Sequence, residues 1–101
     1  MAGMSEADWV RRIIDTGHLY QWKCTHFLPS KTNKGWRTAL QGDTGFVDLV
    51  MAKAGRVLHV EAKTDVGRIR PDQIEWAKEI GPTYRLWRPR DWDQVLAELR
   101  S

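Results

Sequence analysis

Apolar residues recur at helical spacing near the start of the chain, where Trp9, Val10, Ile13 and Ile14 line one face. Ser5, with Asp8 following at capping-box spacing, opens this segment and Gly17 offers a left-handed stop, which together predict a first helix. The period then changes. Residues 18 to 28, HLYQWKCTHFL, are aromatic and β-favouring with partial alternation and predict a strand that ends before Pro29. The stretch PSKTNKGWRTALQGDTG interleaves Gly, Ser, Asn and Thr with Lys31, Lys34 and Arg37, and reads as a basic loop suited to phosphate. Alternation returns over residues 46 to 52 and 57 to 63, which predicts two strands about a solvated turn. RPDQIEWAKEIGP opens on a first-turn proline and closes on Gly81 and Pro82, marking a helix of about three turns. TYRLW is a short strand, and Asp91 with Gln94 caps a last helix that carries Trp92, Val95, Leu96 and Leu99. The expected order is α-β-β-β-α-β-α.

An acidic residue interrupts each apolar run of the hairpin: Asp48 in the first strand, Glu61 in the second. A turn at Ala54-Gly55, as a two-residue or a four-residue loop, pairs positions whose numbers sum to 109, so Asp48 stands opposite Glu61 and Phe46 opposite Lys63. Alternation then gathers His59, Glu61, Lys63 and Asp48 on one face, and Leu58, Val60, Ala62, Val47, Leu49 and Met51 on the other. Ala-Gly is a poor dipeptide for a primed turn, however, and a three-residue loop shifts the register by one and separates the pair.

Composition bounds the function. With 101 residues there is room for one domain and one core. Hydrophobic residues at 42% and charged residues at 29% describe a globular chain rather than a disordered one. Sixteen Lys and Arg against thirteen Asp and Glu leave +3, a weak bias toward nucleic acid. The single cysteine, Cys24, excludes an intramolecular disulfide, fits a reducing cytosol and reads as a small buried hydrophobe. No apolar run is long enough for a membrane span and no signal segment opens the chain, so a cytoplasmic location is expected, host cytoplasm if the source is viral.

Facing carboxylates repel, and burial raises the cost unless a cation or a proton lies between them. A hard divalent ion such as Mg²⁺ answers this, since it takes one or two carboxylates and keeps waters that a phosphate can displace.

Asp48 followed by Glu61-x-Lys63 after a hairpin resembles the signature of the PD-(D/E)XK nuclease superfamily. Within it, GDTGFVDLV…GRVLHVEAKTDVGRIRPDQ is similar to the VRR-NUC (virus-type replication-repair nuclease) domain, and the likeness extends through WAKEI and YRLWRP over nearly the whole chain. The family usually has proline before the aspartate; here the residue is Val47. The resemblance implies a restriction-endonuclease-like α/β fold, a central mixed sheet flanked by helices. It also implies a Mg²⁺- or Mn²⁺-dependent DNA nuclease of replication, repair or recombination, structure-selective for branched DNA.

On that resemblance Asp48, Glu61 and the Ala62 carbonyl hold the metal, and Lys63 orients the attacking water or neutralises the scissile phosphate. Gln73, in the first turn of the helix after the hairpin, belongs to the site. Glu6, on the helix face of Val10, Ile13 and Gly17, is carried toward it. Phosphate contacts fall to Lys31, Lys34, Arg37, Arg68 and Arg70, and Trp36 is placed to stack on a base or sugar. Stand-alone domains of this type resemble dimeric junction-resolving enzymes, which implies a homodimer; Trp87, Trp92 and Leu96 are its apolar candidates, or else core. Structural readings stand beside these. Asp48, Glu61 and Lys63 can be an ion-paired surface with Lys53 or Arg56, Gln73 a solvated first-turn residue, Glu6 a partner of the helix dipole and His59 a packing residue. Most of the six tryptophans read as core. The rival functions are a nucleic-acid-binding module without cleavage and a protein-interaction domain.

Overall fold

The computed structural model describes residues 3–28, 30–32, 35–37 and 40–101, and the side chains of residues 30–32, 36 and 37 fall outside the description. The Ser5 side chain accepts the Asp8 N–H at 3.1 Å and starts helix α1 (Glu6–Leu19). Gly17 does not stop it. A Cβ there would lie 2.6 Å from Met51 Cε and 3.1 Å from Cys24 Sγ, so this glycine lets the helix approach the sheet. The helix ends instead in a Schellman arrangement, with the Trp22 N–H bonded to the Gly17 carbonyl and the Gln21 N–H to the His18 carbonyl. The left-handed residue is Gln21, at φ 74°. The strand expected over residues 18 to 28 is therefore only β1 (Lys23–His26). The segment expected as a basic loop forms an antiparallel ladder, β2 (Ser30–Thr32) against β3 (Gly35–Arg37).

Strands β4 (Leu49–Lys53) and β5 (Arg56–Ala62) follow, then α2 (Pro71–Ile80), β6 (Tyr84–Trp87) and α3 (Trp92–Arg100). The main sheet runs β1-β4-β5-β6; the first three strands are antiparallel neighbours and β6 is parallel to β5. Only a crossover can join parallel neighbours, and α2 lies within it. The α/β class with a mixed sheet and three helices matches the expectation, with two short strands added to its order.

Leu49 pairs with Val60 and Lys53 with Arg56, the register that sums to 109. Ala54 and Gly55 both take positive φ, 49° and 83°, so the turn is a two-residue primed one despite its alanine. On one face Leu49, Met51, Leu58, Val60 and Ala62 pack against Trp9, Val10 and Ile13 of α1 and Val95 and Leu99 of α3. Val47, at the position where proline was expected, is buried as well. The core tryptophans satisfy their indoles on backbone: Trp9 Nε1 donates to the Trp87 carbonyl at 3.0 Å and Trp22 Nε1 to that of Leu99 at 2.9 Å. Of the three residues weighed for an interface, Trp87 is core, Trp92 packs edge-on to Trp9 beneath Arg12, and Leu96 is half-buried. Helix α2 covers the other face through Gln73 and Trp76, which gives three layers. No described helix is long and apolar enough to cross a membrane.

Candidate functional site

The β4–β5 ladder ends at Leu49–Val60; the Asp48 N–H also donates to the Val60 carbonyl at 3.1 Å, a one-residue offset of the bulge kind, while its carbonyl accepts the Phe27 N–H at 3.0 Å in register with β1. The Asp48 carboxyl nevertheless lies against that of Glu61, close enough for the two to hydrogen-bond, on the face that α2 covers. The two carboxylates differ in setting: Asp48 is half-exposed, whereas Glu61 retains 1% of its surface.

Each oxygen has a distinct environment. Glu61 Oε1 accepts the Gln73 amide at 2.8 Å, and Gln73 Oε1 in turn accepts the Arg70 N–H at 2.9 Å, which fixes which end of the amide faces the carboxylate. Asp48 Oδ2 accepts the Ala62 N–H at 3.0 Å. The Lys63 N–H goes to Trp87 on β6, so Ala62, one residue back, turns its backbone polar groups toward Asp48. Lys63 Nζ lies 4.0 Å from Glu61 Oε1 with its side chain only 11% exposed. Glu61 Oε2 is buried and meets no hydrogen-bond donor among the described residues.

Burial, then the adjacent Asp48 charge, pushes the Glu61 carboxyl up to about 9, with Lys63 and Arg70 pulling the other way. Without a cation the pair holds a proton, which Glu61 can share with Asp48. A hard divalent ion fits the same place, since Oε2 and the half-exposed Asp48 supply carboxylate oxygens and Ala62 turns its backbone toward them. No group of three or more His, Cys, Asp or Glu that could hold a metal ion occurs among the described residues.

Helix α2 is held in place by the GDTG segment. Thr44 Oγ1 donates to Asp72 Oδ2 at 3.1 Å and Trp76 Nε1 donates to the Thr44 carbonyl at 3.0 Å. Gly45, at φ 94°, passes so close that a Cβ would fall 2.7 Å from the Asp72 carbonyl carbon. This clamp sets the height at which Gln73 enters the sheet.

Of the other expected residues, Glu6 is exposed in the first turn of α1, beside the cap that Ser5 forms with Asp8, and is not among the groups that shift Glu61. Arg68 and Arg70 are exposed on the segment entering α2, and Arg70 Nε pairs with Asp72 Oδ1 at 3.3 Å. The backbones of Lys31, Trp36 and Arg37 lie in the β2–β3 ladder, with their side chains outside the described residues, as is the whole of Lys34. His59 holds Thr83 Oγ1 through Nδ1 at 2.9 Å and meets Phe46 edge-on, a packing role.

Two residues were not anticipated. Tyr84 is the β6 partner of His59 and so shares the Glu61 face; burial, then Glu61 and Asp48, pushes its phenol up to about 12. Phe27 continues the β1 register to stand beside Asp48, with its ring against Phe46. Neither is legible without knowing which strands flank the hairpin. No protein family, curated protein or solved structure matches the chain, so the functional reading rests on its residues and their arrangement.

Proposed function

We propose that the chain is a Mg²⁺- or Mn²⁺-dependent DNA nuclease of the PD-(D/E)XK type, akin to VRR-NUC domains, acting on branched DNA as a homodimer. The observation that supports it most is Glu61: a carboxylate at 1% exposure, faced by Asp48, with one oxygen lacking a donor. Two facing carboxylates cost the fold stability unless a proton or a cation lies between them, and a cation site has a use for both.

Asp48, Glu61 and the Ala62 backbone are the groups that would hold the ion. When bound, the ion supplies Lewis acidity and lowers the pKa of water beside the scissile phosphate. Gln73 fixes Glu61 through Oε1 and leaves Oε2 free. Lys63, confined at 11% exposure, presents an ammonium where a phosphate oxygen or the attacking water would stand. Arg68 and Arg70 offer phosphate contacts after the hairpin in sequence, and Lys31, Lys34 and Arg37 offer them before it.

Single-stranded, duplex, flapped and four-way-junction DNA with Mg²⁺, Mn²⁺ or EDTA tests the reading. The expected result is metal-dependent cleavage, strongest on branched substrates and absent in Glu61→Gln. A chain that binds these DNAs but cuts none of them with either metal is a binding module, and the proposal fails.

A further inference from the structure

Thr64–Gly67, directly after Lys63, is a tight turn closed by the Gly67 N–H donating to the Thr64 carbonyl at 3.2 Å. Val66 stands in it at 89% exposure, the most exposed large apolar side chain among the described residues. Scattered surface apolar residues are ordinary, but a β-branched residue at a turn position serves neither packing nor turn chemistry. The turn is also braced far beyond what a surface loop needs. The Arg88 guanidinium donates to the carbonyls of Thr64 and of Gly67, the latter at 2.7 Å. The Arg90 N–H donates to Asp65 Oδ1 at 2.9 Å and its guanidinium to the Asp65 carbonyl at 3.2 Å. The one acidic residue of the turn is thereby engaged inward, and the exposed Arg68 directly follows the turn.

Position completes the picture. Across the sheet, Phe27 lies beside Asp48, Asp48 faces Glu61, and the braced turn hangs from Arg88 just beyond β6. Val66 thus lies three residues past Lys63, beyond the end of β5 that carries Glu61, and Phe27, 41% exposed, is the β1 neighbour of Asp48.

We infer that Val66 is a wedge, which enters the base stack next to the scissile phosphate and opens that step, while Phe27 offers a ring to the displaced base. The inference rests on the nuclease reading and specifies what the site recognises: a phosphodiester whose flanking bases can be unstacked, as at a branch, rather than one in continuous duplex. Rigid placement matters because an apolar side chain on a floating loop would fold away from a polyanion, whereas one fixed in a turn that an exposed arginine follows is carried into the stack by phosphate attraction.

The test places 2-aminopurine at the step beside the cleavage position of a four-way junction and uses Ca²⁺ in place of Mg²⁺ to hold the DNA uncut. Wild type is expected to raise the fluorescence several-fold on binding, and Val66→Ser to bind within about 3-fold of wild type, because affinity rests on phosphates, without the rise. With Mg²⁺, Val66→Ser is expected to cut the fully paired site about 10-fold more slowly, the cost of an unstacking that is no longer offset. A mismatch at that step should restore its rate, and Val66→Leu should behave as wild type. An unchanged signal with bound wild type overturns the wedge, as does a Val66→Ser variant matching wild type on paired and mismatched sites alike. The two readings separate cleanly: absence of all cleavage with a fluorescence rise sinks the nuclease, and cleavage without a rise sinks only the wedge.

Discussion

The two faces of the β4–β5 hairpin are built from alternate residues of the same strands, yet they are stabilised in opposite ways. Toward α1 and α3, Leu49, Met51, Leu58, Val60 and Ala62 are buried among apolar neighbours. Toward α2, Asp48, Glu61, His59 and Lys63 form a polar face in which Glu61 is as buried as the core but left with an oxygen unsatisfied. The first face contributes the folding energy; the second spends some of it. Stability and proposed activity should accordingly separate by residue parity along a single strand.

The largest effect expected is on chemistry. Asp48→Ala or Glu61→Ala should lower cleavage by at least about 100-fold, as loss of a group acting in the transition state does, while circular dichroism and DNA affinity stay near wild type. One residue away, Leu49→Ala should cost about 2–5 kcal/mol of stability in denaturant unfolding. Val60→Ala should act in the same direction. Cleavage by the folded fraction of either should be retained. If Glu61→Ala unfolds the chain as Leu49→Ala does, the contrast between faces is lost.

Lys63→Ala should slow single-turnover cleavage by about 100-fold with little change in DNA binding, and Lys63→Arg should rescue it poorly, because a planar fork does not replace a compact ammonium in a confined place. A rate within a few-fold of wild type would make Lys63 only the ion partner of Glu61.

A smaller effect concerns pH. The Glu61 carboxyl is raised from 4.5 to about 9 in the metal-free fold, so between those values the native state binds more protons than the unfolded chain. Its stabilising contribution is full below about 4.5 and is lost as pH rises toward about 9. Thermal unfolding without metal should therefore show Tm falling over this window, Glu61→Gln should flatten the fall, and Mg²⁺ should raise Tm most at the alkaline end. A Tm that rises toward the alkaline end without metal contradicts the buried, repelled pair.

Much of this arrangement is legible in the sequence because it depends on local periods. Alternation assigns Asp48 and Glu61 to one face and Leu49 and Val60 to the other, and the register follows once the turn has two residues. The turn itself is less legible: Ala54 takes φ 49° because five paired positions and a buried face outweigh the cost of a non-glycine there. The Gly17 stop misleads for a related reason, since a glycine needed for close approach to Met51 has the same letter as one needed for a left-handed cap. Tyr84 and Phe27 escape sequence reading because strand neighbours across a crossover, or beyond a long connection, are set by tertiary packing.

The central claim is that Asp48 and Glu61 form a divalent-cation site, and calorimetric titration with Mn²⁺ near neutral pH, in buffers of different ionisation enthalpy, tests it most directly. Wild type should bind a single Mn²⁺ ion per chain and release a proton as it does so, because the ion displaces the proton that Glu61 holds. Glu61→Gln should lose both the binding and the release. Wild type that binds no Mn²⁺, or a Glu61→Gln variant that binds it with the same affinity and proton count, would contradict the account.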